Sequence, residues 1–289
     1  MGMGVGVLRL LLELKGQGHV PNGSAVIEIG AQQLDDSFIE ATNEIAAAAR
    51  LFGVTRPAPP LARAGPRDVT FPQKGAPFSR QFWTWLGLRY ASIDIDGSPG
   101  SIPLDLNYDE VPAEFVGEFN VVTNFGTTEH VANQLQSCKI IHDLAARNAL
   151  MWHVVPAGGM PNHGLISYNP NFFWMLARSN RYKSVLMMMS RGDCETGFPE
   201  SVLNSLSLHD SNVASRFAGY RMSETSLAVA FQKVYDAPFV APIDVNTGTT
   251  TEHATLRERY WTVFQPDTVA ARERDLEDRI PALGDRRQA

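Results

Sequence analysis

The sequence predicts an α/β protein built on a mostly parallel β-sheet with helices on both faces. Short apolar runs rich in β-branched residues alternate with segments whose apolar residues recur at helical spacing. Strands that are apolar throughout are typical of sheets covered on both sides. Three such runs, at residues 24–30, 90–96 and 119–124, carry most of this prediction.

The first part of the chain is predicted as helix, strand, helix and then an irregular insertion. Charged residues interrupt the apolar start, which indicates a first helix rather than a signal peptide. The strand at 24–30 is followed by helix-start residues at 35–37 and an alanine-rich helix over 45–52. Residues 53–79 contain six prolines and no periodicity, so we expect an irregular insertion in the domain.

The remainder of the chain is predicted to continue the alternation. Strands are expected at 90–96, 101–106, 119–124, 150–155, 182–189 and 227–233, helices at 130–150 and 171–177, and irregular or partly helical chain at 201–217. We interpret residues 1–245 as one domain. Residues 246–289, rich in Arg and Glu, are predicted as a polar, helical C-terminal tail.

Composition limits the class of protein. The 289 residues, 44% of them hydrophobic, suffice for one large domain, and no apolar run reaches the roughly 20 residues that span a bilayer. The net charge of −6 offers no basic face for nucleic acid. Cys138 and Cys194 form neither a disulfide framework nor a metal-binding spacing. We therefore expect a cytoplasmic protein with a small-molecule substrate and no nucleic-acid or membrane partner, and leave a homo-oligomer open.

A glycine ends the first predicted strand, in the run Glu28-Ile29-Gly30-Ala31-Gln32. Glycine at a strand-to-helix turn lets the backbone approach a ligand closely, and ligands of parallel sheets bind beyond the carboxyl ends of the strands. An ordinary structural turn explains the same glycine equally simply.

Acidic residues follow the next two strand-like runs. Asp94 and Asp96 close the second strand, where a carboxylate can accept hydrogen bonds from both ribose hydroxyls of a nucleoside. Asp105 and Asn107 follow the run after it and could meet the amine and ring nitrogens of adenine. Solvated strand ends and turns remain the alternative for each.

A fourth signal is the stretch from Val121 to His130, in which a β-branched strand ends in Asn124 and Phe125 and then reaches a glycine turn. His130 could act as a general base, because imidazole titrates near neutrality, or could simply pack or cap a helix. His163 follows a Pro- and Gly-rich loop after the strand at 150–155, and binding residues concentrate on such loops. None of the seven histidines forms a spacing that would hold zinc, so no metal is expected.

This ordered set of motifs resembles that of S-adenosylmethionine-dependent methyltransferases with the Rossmann-like fold. The resemblance covers roughly residues 20–240 and implies a mostly parallel seven-stranded sheet with S-adenosylmethionine as cofactor. It implies that the residues around the first turn, Glu28, Gly30, Ala31 and Gln32, face the methionine part of the cofactor. One departure is Gln32, since the family's first motif usually has a second glycine there.

The resemblance also distributes the remaining candidates over the cofactor. Asp94 or Asp96 would hold the ribose, Asp105 with Leu106 would hold the adenine, and Asn124 with Phe125 would lie beneath the sulfonium. His130 and His163 would be the candidates for taking a proton from the acceptor.

The leading hypothesis is methyl transfer to a small molecule by direct displacement. A second hypothesis is a catalytically inactive scaffold module of the same fold, favoured by Gln32 and by the long insertion. A weaker third hypothesis is an NAD-dependent oxidoreductase, against which the missing three-glycine pattern counts.

Overall fold

The computed structural model of the chain describes residues 2–65, 74–96, 98, 100–191, 224–244 and 254–260. The helices of this part are α1 (Val5–Gly16), α2 (Asp36–Glu40), α3 (Thr42–Phe52), α4 (Arg80–Trp85), α5 (Gln134–Leu144), α6 (Pro170–Asn180) and α7 (Ala254–Arg259). The strands are β1 (Ala25–Ile29), β2 (Arg89–Ile93), β3 (Phe119–Phe125), β4 (Ala145–Gly158), β5 (Lys183–Arg191) and β6 (Thr225–Gln232). The chain divides into two compact units, Met1–Val155 and Pro156–Ala289.

The first unit contains a parallel set of strands in the order β2-β1-β3-β4. The last residue of β1, Ile29, lies opposite Ile93 of β2 on one side and Asn124 of β3 on the other. The chain therefore builds outward from β1 to β2 and then crosses to the opposite side of β1 to form β3. Such a reversal of strand order opens a crevice at the carboxyl ends of the two strands.

Helices cover this parallel set because each has one apolar stripe. Val7, Leu8, Leu11 and Leu14 lie on one face of α1 and are buried, and α1 packs against α3. Helix α4 packs on β2, and α5 packs on β3. All five residues of β1 are buried, which makes it the centre of the core.

The second unit contains an antiparallel pair and a capped helix. Strands β5 and β6 run antiparallel, with Lys183 opposite Gln232. Helix α6 begins with the Asn169 side chain accepting a hydrogen bond from the Asn171 N–H, and Pro170 occupies its first turn, where its missing N–H costs nothing. Helix α6 packs against β6.

Two sequence-based predictions about the sheet need correction. The described residues hold six strands rather than seven, and their directions are mixed rather than mostly parallel, since β5 and β6 pair antiparallel. In addition, residues 101–106 contribute a single bridge, Ile102 to Ile93, instead of a strand. Pro103 comes directly after that bridge and has no N–H to donate, so the pairing does not extend.

The predicted helix at 130–150 is also shorter than expected. A 3₁₀ turn at Thr128–His130 precedes α5, which ends at Leu144, and the chain continues directly into the long strand β4. The other predicted strands and helices of the described residues are confirmed with shifted ends, and residues 53–65 and 74–79 are irregular as expected.

Several predictions lie outside the described residues, namely Cys194, the segment 201–217, and residues 246–253 and 261–289 of the proposed tail. The domain boundary at 245 stays a prediction. Within the described part of the chain, no helix has both the length and the apolar character needed to cross a membrane.

Candidate functional site

A cleft of about 560 Å³ lies in the first unit, at the carboxyl ends of β1, β2 and β3. Its lining consists of the turn after β1 (30–33), Phe78, the end of β2 with the residues just after it (93–96 and 98), the turn at 104–107, and four residues after β3 (126, 127, 130 and 131). The cleft thus lies where the strand order reverses, and its volume is in the range of small-molecule sites.

The lining of the cleft is acidic. It includes the carboxylates of Asp94, Asp96 and Asp105 and, among the described residues, no Lys or Arg. The chain after Gly30 does not enter a helix directly, because α2 begins only at Asp36 and has an acidic first turn. A phosphate group favours a helix N-terminus close to the glycine turn, together with positive charge. The cleft therefore favours a neutral or cationic ligand over a phosphorylated one.

Asp94 joins the ends of β1 and β2. One of its carboxylate oxygens, Oδ2, accepts a hydrogen bond from the Ala31 N–H at 2.9 Å, and the other accepts from the Asp96 N–H at 3.3 Å. Since each carboxylate oxygen can accept two hydrogen bonds, Asp94 keeps acceptor capacity for a ligand.

Asp96 is exposed beside it, and the hydroxyl and N–H of Ser98 hold the pKa of its carboxyl below the usual value. Asp96 is therefore charged at neutral pH, and with Asp94 it makes the end of β2 an acceptor-rich wall of the cleft.

The turn that carries Asp105 is held in place by α5 and the residues before it. The Asp105 carboxylate accepts a hydrogen bond from the Asn107 N–H at 2.8 Å. Asn133 donates from both its backbone and its side chain to Asn107, and Gln136 donates to the Asp109 carbonyl. This part of the cleft is therefore fixed before any ligand arrives.

Gly30 is required by its backbone and by its surroundings. Its φ of +81° is one that residues with a side chain rarely adopt, and a Cβ there would lie 2.2 Å from Thr127 Oγ1 and 3.2 Å from Gln32 Nε2. Gln32 Nε2 donates to the Gly30 carbonyl and to Thr127 Oγ1, each at 3.2 Å. The open side of the glycine is thus filled by the protein's own side chains.

Glu28 is buried below the turn after β1 and is not among the residues that line the cleft, so its predicted contact with the cofactor stays a prediction. Its fully buried carboxylate accepts four hydrogen bonds: from Trp83 Nε1 at 2.7 Å on Oε1, and from Ser79, Tyr90 and the Gln32 N–H at 2.7, 2.8 and 3.0 Å on Oε2. Burial raises its pKa, while these hydrogen bonds lower it. Glu28 positions the turn after β1 and ties it to α4 and β2.

Asn124 and Phe125 are likewise not among the residues that line the cleft, and both are about 1% exposed. The Asn124 carboxamide exchanges hydrogen bonds with Thr128 and lies 3.3 Å from His153 Nδ1. Burial lowers the pKa of His153 to about 3, so its neutral ring accepts from the Asn124 amide. Phe125 packs edge-on against Trp152, with ring centroids 4.8 Å apart. Both side chains thus support the loop after β3, and their predicted place beneath a sulfonium stays a prediction.

The two candidate histidines lie in different units. His130 lines the cleft with its side chain 52% exposed, and its Nε2 is 3.9 Å from Oε1 of the fully buried Glu129. His163 belongs to the second unit, in a turn where its N–H bonds to the Met160 carbonyl. Its predicted contact with an acceptor stays a prediction.

Residues that the sequence analysis missed include Thr127, Ser79, Trp83 and Tyr90. No sequence signal identifies the last three, because they approach Glu28 from 51, 55 and 62 residues away. Thr127 could have been suspected as a small polar residue after the glycine turn at Gly126, although nothing in the sequence places it against Gly30.

No family model and no curated protein sequence matches the chain. The solved structures that resemble its fold include S-adenosylmethionine-dependent methyltransferases. The 1,6-didemethyltoxoflavin-N1-methyltransferase of Burkholderia thailandensis, solved with S-adenosylhomocysteine, is 10% identical, with 79% of this chain and 78% of that chain covered and a TM-score of 0.40.

Two further structures show that the proteins of this comparison differ in their substrates. A geranyl diphosphate methyltransferase in complex with the cofactor is 12% identical over 78% of this chain and 84% of that one, at a TM-score of 0.39. A 16S rRNA (adenine(1408)-N(1))-methyltransferase from Catenulisporales acidiphilia is 8% identical over 78% and 94%, at 0.38. At such values the likenesses carry no inference about activity, which rests on the cleft itself.

Proposed function

We propose that the cleft binds S-adenosylmethionine and that the protein transfers its methyl group to a small-molecule acceptor by direct displacement. The observation that carries this proposal is the set of three carboxylates, with no Lys or Arg among the described lining residues, around a cleft at the reversal of strand order. A nucleoside with a positively charged sulfonium suits such a lining, whereas the pyrophosphate of a dinucleotide does not. The same reasoning disfavours the NAD-dependent alternative and a nucleic-acid substrate.

The residues that would hold the adenosine part lie on the β2 side of the cleft. Asp94 and Asp96 offer carboxylate oxygens to the ribose hydroxyls, and Asp105 with the backbone of Leu106 offers partners to adenine. Ile95, 71% exposed at this wall, supplies apolar surface for the base. This half of the cofactor fits the residues present.

When bound, the cofactor supplies an electrophilic methyl group, so the work left to the protein is to align the acceptor and exclude water. His130 is the lining residue that could take a proton from a hydroxyl or amine acceptor. Oε1 of the buried Glu129 lies 3.9 Å from its Nε2. His163 is kept as a second proposed contact for the acceptor.

A scaffold module without catalysis is the second candidate, and the filled side of Gly30 is the observation that favours it. The two candidates differ in what the cleft must do. A scaffold would keep its partner binding when Asp94 is substituted, whereas an enzyme would lose cofactor affinity.

Asp94→Asn is the variant that tests the proposed binding mode. The amide keeps one acceptor for the Ala31 N–H but presents a donor and no charge on its other side, so we expect the Kd for S-adenosylhomocysteine to rise about 10- to 100-fold, the loss of a hydrogen bond to a charged group. Isothermal titration calorimetry measures the Kd.

Asp143→Asn is the matched control, because this carboxylate lies on α5 in an ion pair with Lys139 and does not line the cleft. Its Kd should stay within about twofold of the parent protein, a change of less than about 0.5 kcal/mol. If the parent protein and Asp94→Asn bind S-adenosylhomocysteine with the same Kd, Asp94 does not contact the ligand and the proposed binding mode is wrong.

A further inference from the structure

The side chain of Gln32 spans the cleft floor from the turn after β1 to the loop after β3. Its Nε2 donates to the Gly30 carbonyl and to Thr127 Oγ1, and the residue is 5% exposed. We refer to this arrangement as the Gln32–Thr127 contact. It is present in addition to the backbone anchoring of Gln32, whose N–H and carbonyl bond to Glu28 and Ser79.

The Gln32–Thr127 contact takes the space that a glycine turn ordinarily leaves open. An added Cβ on Gly30 would meet Thr127 Oγ1 first and Gln32 Nε2 soon after, so both groups lie directly over the turn. A ligand cannot approach the backbone of Gly30 from that side while the contact is closed. The main chain of Gln32 is held by two hydrogen bonds, and its side chain is therefore the part that can move.

The position of this contact in the sheet decides which part of a ligand it meets. The carboxylates Asp94 and Asp96 follow β2, whereas Gly30 follows β1 and Thr127 follows β3, in the strand order β2-β1-β3. With the ribose at the end of β2 and the base at Asp105, the part of the lining left for a 5′ substituent is mainly the turn after β1 and the loop after β3. That substituent would meet the Gln32–Thr127 contact.

We propose that Gln32 determines the length of nucleoside that the cleft accepts. With the Gln32–Thr127 contact closed, the cleft admits adenosine or a short thioether such as 5′-methylthioadenosine. A nucleoside with an amino-acid tail binds only when Gln32 gives up its bonds to Gly30 and Thr127. This inference rests on the proposed function, because it takes adenosine binding as given and adds a barrier at the end of the cleft that faces β1 and β3.

The size of the barrier follows from the hydrogen bonds that must be exchanged. Gln32 would lose its neutral hydrogen bonds to Gly30 and Thr127, and a longer one to the Ile29 carbonyl at 3.5 Å. Each has a modest net value, and part of that value would be regained from water or from the ligand. We therefore expect the contact to weaken binding of the long nucleoside by about tenfold and to leave the short one unaffected.

Calorimetric titration of the full chain with S-adenosylhomocysteine and with 5′-methylthioadenosine tests this. In the parent protein we expect the long nucleoside to bind no more tightly than the short one. Gln32→Ala should lower the Kd for S-adenosylhomocysteine about tenfold and leave that for 5′-methylthioadenosine within about twofold. Gln17→Ala removes a glutamine side chain whose partner is Glu13 on α1, and it should change neither Kd.

A second variant keeps the test valid should Gln32→Ala fold poorly. Thr127→Val has nearly the volume of threonine but cannot accept the hydrogen bond from Gln32, so it should also favour the long nucleoside. Thermal unfolding of each variant verifies that it is folded before titration.

Two results would overturn the inference, and they are distinguishable. If both nucleosides bind but Gln32→Ala and Thr127→Val leave their affinity ratio unchanged or shift it toward the short one, Gln32 does not select for length while the proposed function stands. If neither nucleoside binds to the parent or to either variant, the proposed function fails together with the inference.

Discussion

Gly30→Ala is expected to lower the free energy of unfolding by about 4 kcal/mol and to abolish nucleoside binding. Two costs add at this position. The φ of +81° is unfavourable for any residue with a Cβ, and the new methyl group would lie 2.2 Å from Thr127 Oγ1 and 3.1 Å from its Cγ2. Because Gly30 directly follows β1, relief of this overlap must displace the turn or the loop after β3, both of which line the cleft.

Gly53→Ala provides a matched control, because it shares the backbone cost without the overlap. Its φ is +70° and nothing lies within 4 Å of an added Cβ, so it should cost only about 1 kcal/mol.

Combining Gly30→Ala with Thr127→Ala removes both overlapping atoms and should restore part of the lost stability. Denaturant unfolding of the parent, the two single variants and the double variant measures this. A Gly30→Ala protein as stable as Gly53→Ala would mean that the close approach of Thr127 does not exist in solution.

Glu28→Gln is expected to lower the free energy of unfolding by about 3 kcal/mol, although it changes a single side-chain group. Each carboxylate oxygen of Glu28 faces a group that can only donate, Trp83 Nε1–H at one and the Gln32 N–H at the other. A carboxamide must direct its NH₂ at one of these donors in either orientation. The glutamine side chain therefore leaves one buried donor unpaired. This holds whether the glutamate is charged or neutral, because both of its oxygens can accept a hydrogen bond in either form, whereas an NH₂ group cannot.

The effect of Glu28→Gln should also depend on pH. Burial raises the pKa of Glu28 above its ordinary value, with the four hydrogen bonds opposing, so the folded protein favours the protonated form. The raised pKa therefore adds to the free energy of unfolding at low pH. This contribution is fully present below the ordinary glutamate pKa of about 4.3, and it is lost as the pH rises through the pKa of the folded protein. Glutamine does not titrate, so the difference in stability between the parent and the variant should shrink as the pH rises above the ordinary glutamate pKa and through the raised folded pKa.

Urea unfolding at several pH values measures this difference. Glu44→Gln, at an exposed ion pair with Arg9, is the control and should change stability far less. A Glu28→Gln protein whose midpoint matches that of the parent at every pH would contradict the network around Glu28.

The strands could be predicted from the sequence because their residues carry the signal themselves. The runs that became β1 and β3 are largely apolar and β-branched, and the parallel pairing of β1, β2 and β3 brings Asp94, Asp96 and Asp105 to one cleft as expected. Residues 101–106 show the same kind of pattern, which predicted a strand. Their pairing stops after Ile102, because it depends on the neighbouring strand β2 and on Pro103. The apolar pattern of the segment itself does not determine how far the pairing extends.

The roles of Glu28, Asn124 and Phe125 could not be predicted because they depend on partners distant in the chain. The sequence places all three at or near strand ends, but the face of the sheet on which each lies follows from the fold. Glu28 meets α4 and β2, whereas Asn124 and Phe125 meet β4 residues His153 and Trp152.

Gln32 stands where the resemblance leads one to expect a second glycine, and a side chain there either narrows the cleft or offers a new contact to a ligand. The hydrogen bonds of its side chain to Gly30 and Thr127 favour the first.

Parallel titrations of the intact protein with S-adenosylhomocysteine and with NADH decide whether the acidic cleft takes adenosine without phosphate. We predict saturable binding of S-adenosylhomocysteine with one site per chain and no binding of NADH at the same concentrations. Saturable binding of NADH, or no heat with S-adenosylhomocysteine at millimolar concentration, would contradict it.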